Sequence, residues 1–190
     1  MSRMNKLTTK QEQWLTAHTV CKWEFREDGR VDVEGTAFFY EPNYHKLLRM
    51  SVCESDAYIK DERANKDMRR KDSVLGVHFN HIEGSFDISR TTISSLRGFP
   101  ETVGRHLWTH HSRIHSFSGV HKIIKSIGGE VSVNLGATHL LGFVLISDVS
   151  GIDAEDETLQ RIMNEYVGTG KVIECQDELI DAGYIQQAKL

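Results

Sequence analysis

The sequence predicts a β-rich α/β protein: a short, irregular solenoid of stacked repeats, with a helix and hairpin at its N-terminal end and a helical cap at its C-terminal end. Three observations predict it. An apolar four-residue spacing recurs at shifts of 21 and 24 residues. Glycines punctuate the recurrences, and beyond residue 152 the apolar residues switch to helical periodicity.

The clearest copy of the repeat is Phe86, Ile88, Ile93 and Leu96, with successive spacings of 2, 5 and 3. It recurs as Leu107, Thr109, Ile114 and Phe117, then more weakly as Val131, Val133, Thr138 and Leu141, and Ala37, Phe39, Tyr44 and Leu47 read as an earlier copy. Gly84, Gly104 and Gly129 precede the strands, and Gly98 and Gly119 follow two of them. Periods of about 20–29 residues with this spacing are those of leucine-rich repeats. In such a repeat a short strand turns alternate side chains inward, the chain turns, and a second apolar pair closes the same layer. One repeat cannot bury its apolar face alone and must stack on neighbours. The fifth position after the first strand residue, where leucine-rich repeats carry asparagine, holds Thr91, Ser112 and Gly136. A hydroxyl replaces part of the amide's bonding and glycine none of it, so regularity is expected to fall toward the last copy.

The flanks read as follows. Thr9 followed by Glu12 makes a capping-box pattern ahead of Trp14 and Leu15. Cys21–Phe25 and Arg30–Val33 flank Glu27-Asp28-Gly29 as a hairpin. Residues 52–73 interleave opposite charges with few apolar residues and read as a charged insertion. After the repeats, Asp153 is expected to cap a helix carrying Leu159, Ile162, Met163 and Tyr166 on one stripe. Gly168-Thr169-Gly170 ends it, and Glu174–Ala182 forms another helix stopped by Gly183. The expected division is therefore a cap over 1–35, a repeat region over 36–152 and a helical cap over 153–190.

With 39% hydrophobic and 26% charged residues the chain has the composition of a folded soluble protein rather than a disordered one. No apolar run approaches the roughly 18 residues of a spanning helix, the strongest being Leu140–Ile146, so no membrane association is expected. The N-terminal residues lack the apolar stretch of a secretory signal. Cys21, Cys53 and Cys175 are scattered and odd in number, which opposes a disulfide framework and a thiolate zinc site. A cytoplasmic setting is the simplest expectation. From Asp148 onward ten acidic residues face Arg161, Lys171 and Lys189, so this end carries −7 of the net −4 and the rest +3. A solvated acidic end follows, or one that repels nucleic acid or docks on a basic partner.

The chain resembles the leucine-rich-repeat-like proteins that tailed bacteriophages and mobile elements encode, mostly without assigned function. Three stretches carry the resemblance: DGRVDVEG (Asp28 to Gly35), EGSFDISRTTISSLRGFPETVG (Glu83 to Gly104), and KVIECQDELIDAGY (Lys171 to Tyr184) with the terminal AKL. The resemblance implies a fold and a viral or mobile-element setting, and carries no site residues. The absent asparagines and the 52–73 segment depart from a regular repeat.

Candidate chemistry divides into binding, metal and nucleic acid. If Leu107 and Thr109 point inward, His106, Trp108 and His110 point outward together. With Phe38, Tyr40 and Asp87 on neighbouring strands they form an aromatic and polar strip, which suits protein recognition. Thr36, Ser85, Ser89, Glu130, Ser132 and Asn134 share those outward positions. His106, His110, His111 and His115 crowd one repeat and are the candidate metal ligands. In an extended strand, however, His106 and His110 stand about 13 Å apart, and His110 and His111 face opposite ways. Surface imidazoles tuning binding near pH 6–7 are the simpler reading. Arg90, Arg97, Arg105 and Arg113 offer a basic ridge for nucleic acid, opposed by the acidic end. No GxSxG elbow or P-loop occurs, and the cysteines lack a local histidine motif. The expectation is thus a non-enzymatic protein, without cofactor, that docks through its repeat strands on a bacterial host or defence protein. The alternatives are an RNA- or DNA-binding module and a metal-dependent enzyme. Self-association through a strand edge or the aromatic strip stays open.

Overall fold

A computed structural model describes residues 6–19, 22–38, 75, 77–91 and 93–190. Phe39, Tyr40, Tyr44, Leu47, Cys21, Cys53 and the 52–73 segment lie outside these residues.

Helix α1 (Thr9–His18) begins one residue earlier than the Thr9/Glu12 pattern suggests. Thr8 is the cap: its Oγ1 accepts from Gln11 N at 3.3 Å, while Gln11 Oε1 accepts from Thr8 N at 2.9 Å. Glutamine serves the reciprocal position as well as glutamate does, and Glu12 is left in the first turn to meet the helix dipole. The expected hairpin follows, with β1 (Trp23–Phe25) antiparallel to β2 (Val31–Val33) around Gly29.

From there the chain alternates between two sheets. It runs through β3 (Ala37–Phe38), β4 (Phe79–Ile82), β5 (Phe86–Asp87), β6 (Thr102–Val103), β7 (Leu107–Trp108), helix α2 (Val120–Ile123), β8 (Ser126–Ile127), β9 (Glu130–Ser132), a 3₁₀ helix (Leu140–Leu145) and β10 (Gly151–Asp153). One sheet has the order β1-β2-β4-β6-β8 and the other β10-β9-β7-β5-β3. Every pairing of these strands except β1–β2 is parallel. The protein is a mixed α/β fold with two mostly parallel sheets and a few helices.

The recurrence in the sequence is the register of the second sheet. Ala37, Phe86, Leu107, Val131 and Ile152 stand opposite one another across its five strands, and all five are buried. The first sheet has a matching inner row, Val33, Ile82, Val103 and Ile127, also buried. Ile88, Ile93, Leu96, Thr109, Ile114 and Phe117 are buried where the repeat pattern puts them inside. Phe86 is central: its ring meets Phe79 and Phe99 edge-on at centroid distances of 5.6 and 5.2 Å.

Between the two sheets the chain turns a corner four times at glycine, through Gly35, Gly84, Gly104 and Gly128. Gly84 N donates to Gly35 O at 2.7 Å, Gly104 N to Ile82 O at 2.7 Å and Gly128 N to Val103 O at 2.9 Å. The corners stack so closely that a Cβ on Gly104 would overlap the carbonyl oxygen of Glu83, and one on Gly128 that of Gly104. Close backbone approach, rather than turn dihedral, explains glycine at 104 and 128, whereas Gly35 takes φ +111°.

The third copy departs from the expected pattern, and for a definite reason. It is one residue longer before its turn: Ala137 N bonds Asn134 O around Gly136 (φ +74°), as Ser112 N bonds Thr109 O around His111 (φ +56°). Asn134 therefore takes the inward place of Thr109, and Ala137 is buried in place of the half-buried Thr138. Asn134 Nδ2 donates to Ser112 O at 3.1 Å and Ile114 O at 2.8 Å. The copy expected to lack an amide tie is thus the one that has it.

At the C-terminal end Asp156, not Asp153, caps helix α3 (Glu157–Tyr166), accepting from Leu159 N at 2.9 Å. Asp153 instead completes β10. The Asp156 carboxyl is held below its usual range by the Leu159 amide and then by the Tyr184 hydroxyl. Helix α4 (Val172–Asp181) ends at Gly183 (φ +89°) with Tyr184 N bonded to Leu179 O. Helix α3 also closes the outer edge of the second sheet, because Asn164 Oδ1 accepts from Ile152 N and Gln160 Oε1 from Ala154 N. No helix among the described residues is long and apolar enough to cross a membrane.

Candidate functional site

The outer side of the second sheet follows from its register. Since Leu107 points inward, Trp108 points outward, and the same parity carries a row of residues across the sheet: Phe38, Asp87, Trp108, Ser132 and Asp153. His106 and His110 lie on the same side of their strand, before and after Trp108. The three rings come together, with centroids 5.3 Å apart for His106–Trp108 and 6.0 Å for Trp108–His110, the latter edge-on. Trp108, His106, His110 and Phe38 are half-buried, while Glu130, Asp153 and Glu155 at the β9–β10 end are exposed.

The imidazoles are held by specific partners. His106 Nδ1 accepts from Glu130 N at 3.1 Å, which leaves its proton on Nε2 in the neutral ring. His110 Nδ1 lies 3.0 Å from Ser132 Oγ, and that hydroxyl also accepts from Thr109 N at 3.0 Å, leaving its own proton for the imidazole. Burial lowers the His110 pKa from its ordinary 6.5, against the opposing pull of Asp87. Its neutral form is thereby favoured at neutral pH, so charge tuning between pH 6 and 7 moves to lower pH at this residue.

Several expected outward positions are not available to a partner. Asp87 lies in the row but is buried, its Oδ1 accepting from Ser89 N at 2.8 Å and Ser89 Oγ at 2.6 Å. Thr36, Ser89 and Ser132 are buried as well, and Asn134 is turned to the backbone of the preceding copy. Short polar side chains between large neighbours are covered by them, which alternation alone does not reveal. Tyr40 lies outside the described residues.

The metal candidates do not converge. The strand stops at Trp108, and the left-handed turn at His111 swings its ring against His110 at 5.4 Å rather than to the opposite side. His115 is exposed and engaged through its carbonyl, which accepts from Thr138. Among the described residues no group of three or more His, Cys, Asp or Glu side chains is placed to hold a metal ion. The four arginines are all exposed but do not make a single ridge. Arg105 sits at a glycine corner, its N bonded to Gly84 O, whereas Arg90 and Arg113 lie past the far ends of the second sheet's strands, bonded to His110 O and Ile93 O. Arg97 follows Leu96 in a turn, its N bonded to Ser95 Oγ at 3.2 Å. Cys175 is buried, with its thiol pushed up to about 12 by burial and then by Glu178, which favours the protonated thiol at neutral pH.

Sequence reading found the β1–β2 hairpin but missed β4, β6 and β8 of the first sheet, and the Asn134 tie. A signal for the first was present: an inward β-branched residue stands one or two places before each corner glycine, in Val33-Glu34-Gly35, Ile82-Glu83-Gly84, Val103-Gly104 and Ile127-Gly128. No protein-family model matches the chain, and neither does any curated protein or solved structure.

Proposed function

We propose that the two sheets are the walls of a short solenoid of leucine-rich type, and that the protein is a non-enzymatic binder whose second-sheet outer face docks on a partner protein. The observation that carries this reading is the His106–Trp108–His110 stack, half-exposed on one strand with Phe38 in the same cross-strand row. Rigid aromatic anchors held by packing lose little entropy on binding and dominate interface energies. The exposed carboxylates of Glu130, Asp153 and Glu155 form a polar rim at one end of the strip. The setting rests on the resemblance alone: a phage or mobile-element protein acting in the cytoplasm of its bacterial host, on a host or defence protein.

The test is quantitative capture from bacterial lysate with the wild-type chain and with Trp108→Ala combined with His110→Ala. Loss of a tryptophan anchor typically costs at least about 2 kcal/mol, some thirtyfold in affinity, so a specific partner should fall to background with the double variant. Retention of every specific partner by a folded double variant would show that this face is not the docking surface.

A further inference from the structure

The first sheet ends in an edge, β1, that no strand or helix among the described residues closes. Glu34 N bonds Lys22 O and Arg26 N bonds Arg30 O, each at 2.9 Å, so in the β1–β2 pair Glu24 is the residue whose backbone groups face Asp32. Trp23 and Phe25 consequently turn their N–H and C=O groups away from β2, and no partner for these groups exists among the described residues. The second sheet contrasts with this. Its β10 edge is satisfied by Asn164 and Gln160, and its β3 edge bridges Thr19.

Beside this edge lies a groove on the outer face of the first sheet, whose lining includes one lysine, Lys22, together with Glu24, Asp32, Glu34, His81 and Glu83. Asp32 is already engaged, by Arg26 at 2.8 Å and Asn80 at 2.7 Å. Glu24, Glu34 and Glu83 are exposed and have no ion pair among the described residues. On the opposite side of β1 the Trp23 and Phe25 side chains are half-buried against the core.

We infer that the free edge of β1 is a strand-addition site for an extended segment of a partner protein that alternates apolar and basic residues. Its backbone pairs with Trp23 and Phe25. In antiparallel addition the residue opposite Glu24 occupies a non-hydrogen-bonded pair, where side chains approach most closely, so a lysine or arginine there meets Glu24 and the groove behind it. Its neighbours on either side point inward and extend the apolar surface of Trp23 and Phe25. A second copy of this chain is the poorer occupant. The two-fold register that uses both free residues sets Glu24 against Glu24 and Lys22 against Arg26, and like charges directly opposed disfavour pairing. This surface is distinct from the second-sheet face and does not depend on it.

The probe is a fluorescein-labelled, end-capped hexapeptide of alternating valine and lysine, with the valine–glutamate peptide as its counterpart. Fluorescence anisotropy should show the lysine peptide binding at least tenfold more tightly. Phe25→Pro removes a donor that faces solvent, at a position where sheets tolerate proline, together with a half-buried ring, and should abolish binding with net charge kept and the melting temperature lowered. If that variant fails to fold, amide exchange on the wild-type chain decides: saturating lysine peptide should protect the Trp23 and Phe25 amides, leaving the already bonded Glu24 amide unchanged. Equal binding of both peptides, undiminished binding to folded Phe25→Pro, or unchanged exchange at Trp23 and Phe25 would each overturn the assignment. So would sedimentation of the free protein as a dimer that Phe25→Pro dissolves, which would make a second copy the occupant.

Discussion

Gly104→Ala is expected to destabilise the protein by about 3 kcal/mol, at the upper end of what overpacking costs, and to lower the yield of folded protein. The added methyl would overlap the Glu83 carbonyl oxygen and stand 2.8 Å from its carbonyl carbon, and both are backbone atoms that no rotamer change can move. Gly104 does not have positive φ, so strained dihedrals contribute nothing to this penalty. Gly136→Ala provides the comparison. It sits at φ +74° with nothing within 4 Å, so alanine there should cost only the left-handed penalty of about 1–2 kcal/mol. Chemical denaturation of both variants separates the two causes. An alanine at 104 no more harmful than one at 136 would mean that the corners do not stack as closely as described.

The second large effect is expected at Phe86. Truncation to alanine removes a fully buried ring that meets Phe79 and Phe99 and lies between Ala37 and Leu107 in the inner row. The expected loss is about 3–5 kcal/mol, or roughly 10 °C in Tm for a chain of this size. Leu135→Ala, at a side chain 66% exposed, should change stability by less than about 0.5 kcal/mol. Thermal melts of the two variants would give similar values only if Phe86 were not a shared core residue.

The inner row of the second sheet was legible because a parallel register repeats the same side-chain demand at each pass of the chain. Phe86, Leu107 and Val131 had to be apolar at matching intervals, and the shifts of 21 and 24 residues are those of the strand partners. Beyond the hairpin, the first sheet was harder to read, because β4, β6 and β8 are only two to four residues long, and such short units carry no periodicity of their own. Asn134 was misplaced for a related reason. A single extra residue before the Gly136 turn buries Asn134 as well as Val133, and spacing measured from Val131 cannot detect it. The helix caps at Thr8 and Asp156 were each offset because several cap-forming residues stand close together and the backbone uses only one.

The candidate site was legible to the same depth. Alternation placed His106, Trp108 and His110 on one side of a strand, and their rings do meet. What alternation could not supply is exposure. Asp87 and Ser132 occupy outward positions in the same row and are nonetheless buried, because the rings beside them are wide and their own side chains short.

The arrangement rests on parallel strands that bring Trp108 between Asp87 and Ser132. Interstrand backbone NOEs on labelled protein test this most directly. Cross-peaks should link Asp87 to Trp108 and Trp108 to Ser132 in the parallel pattern, together with contacts from the indole to both flanking imidazoles. An antiparallel pattern between these strands, or an indole without contact to His106 and His110, would contradict it.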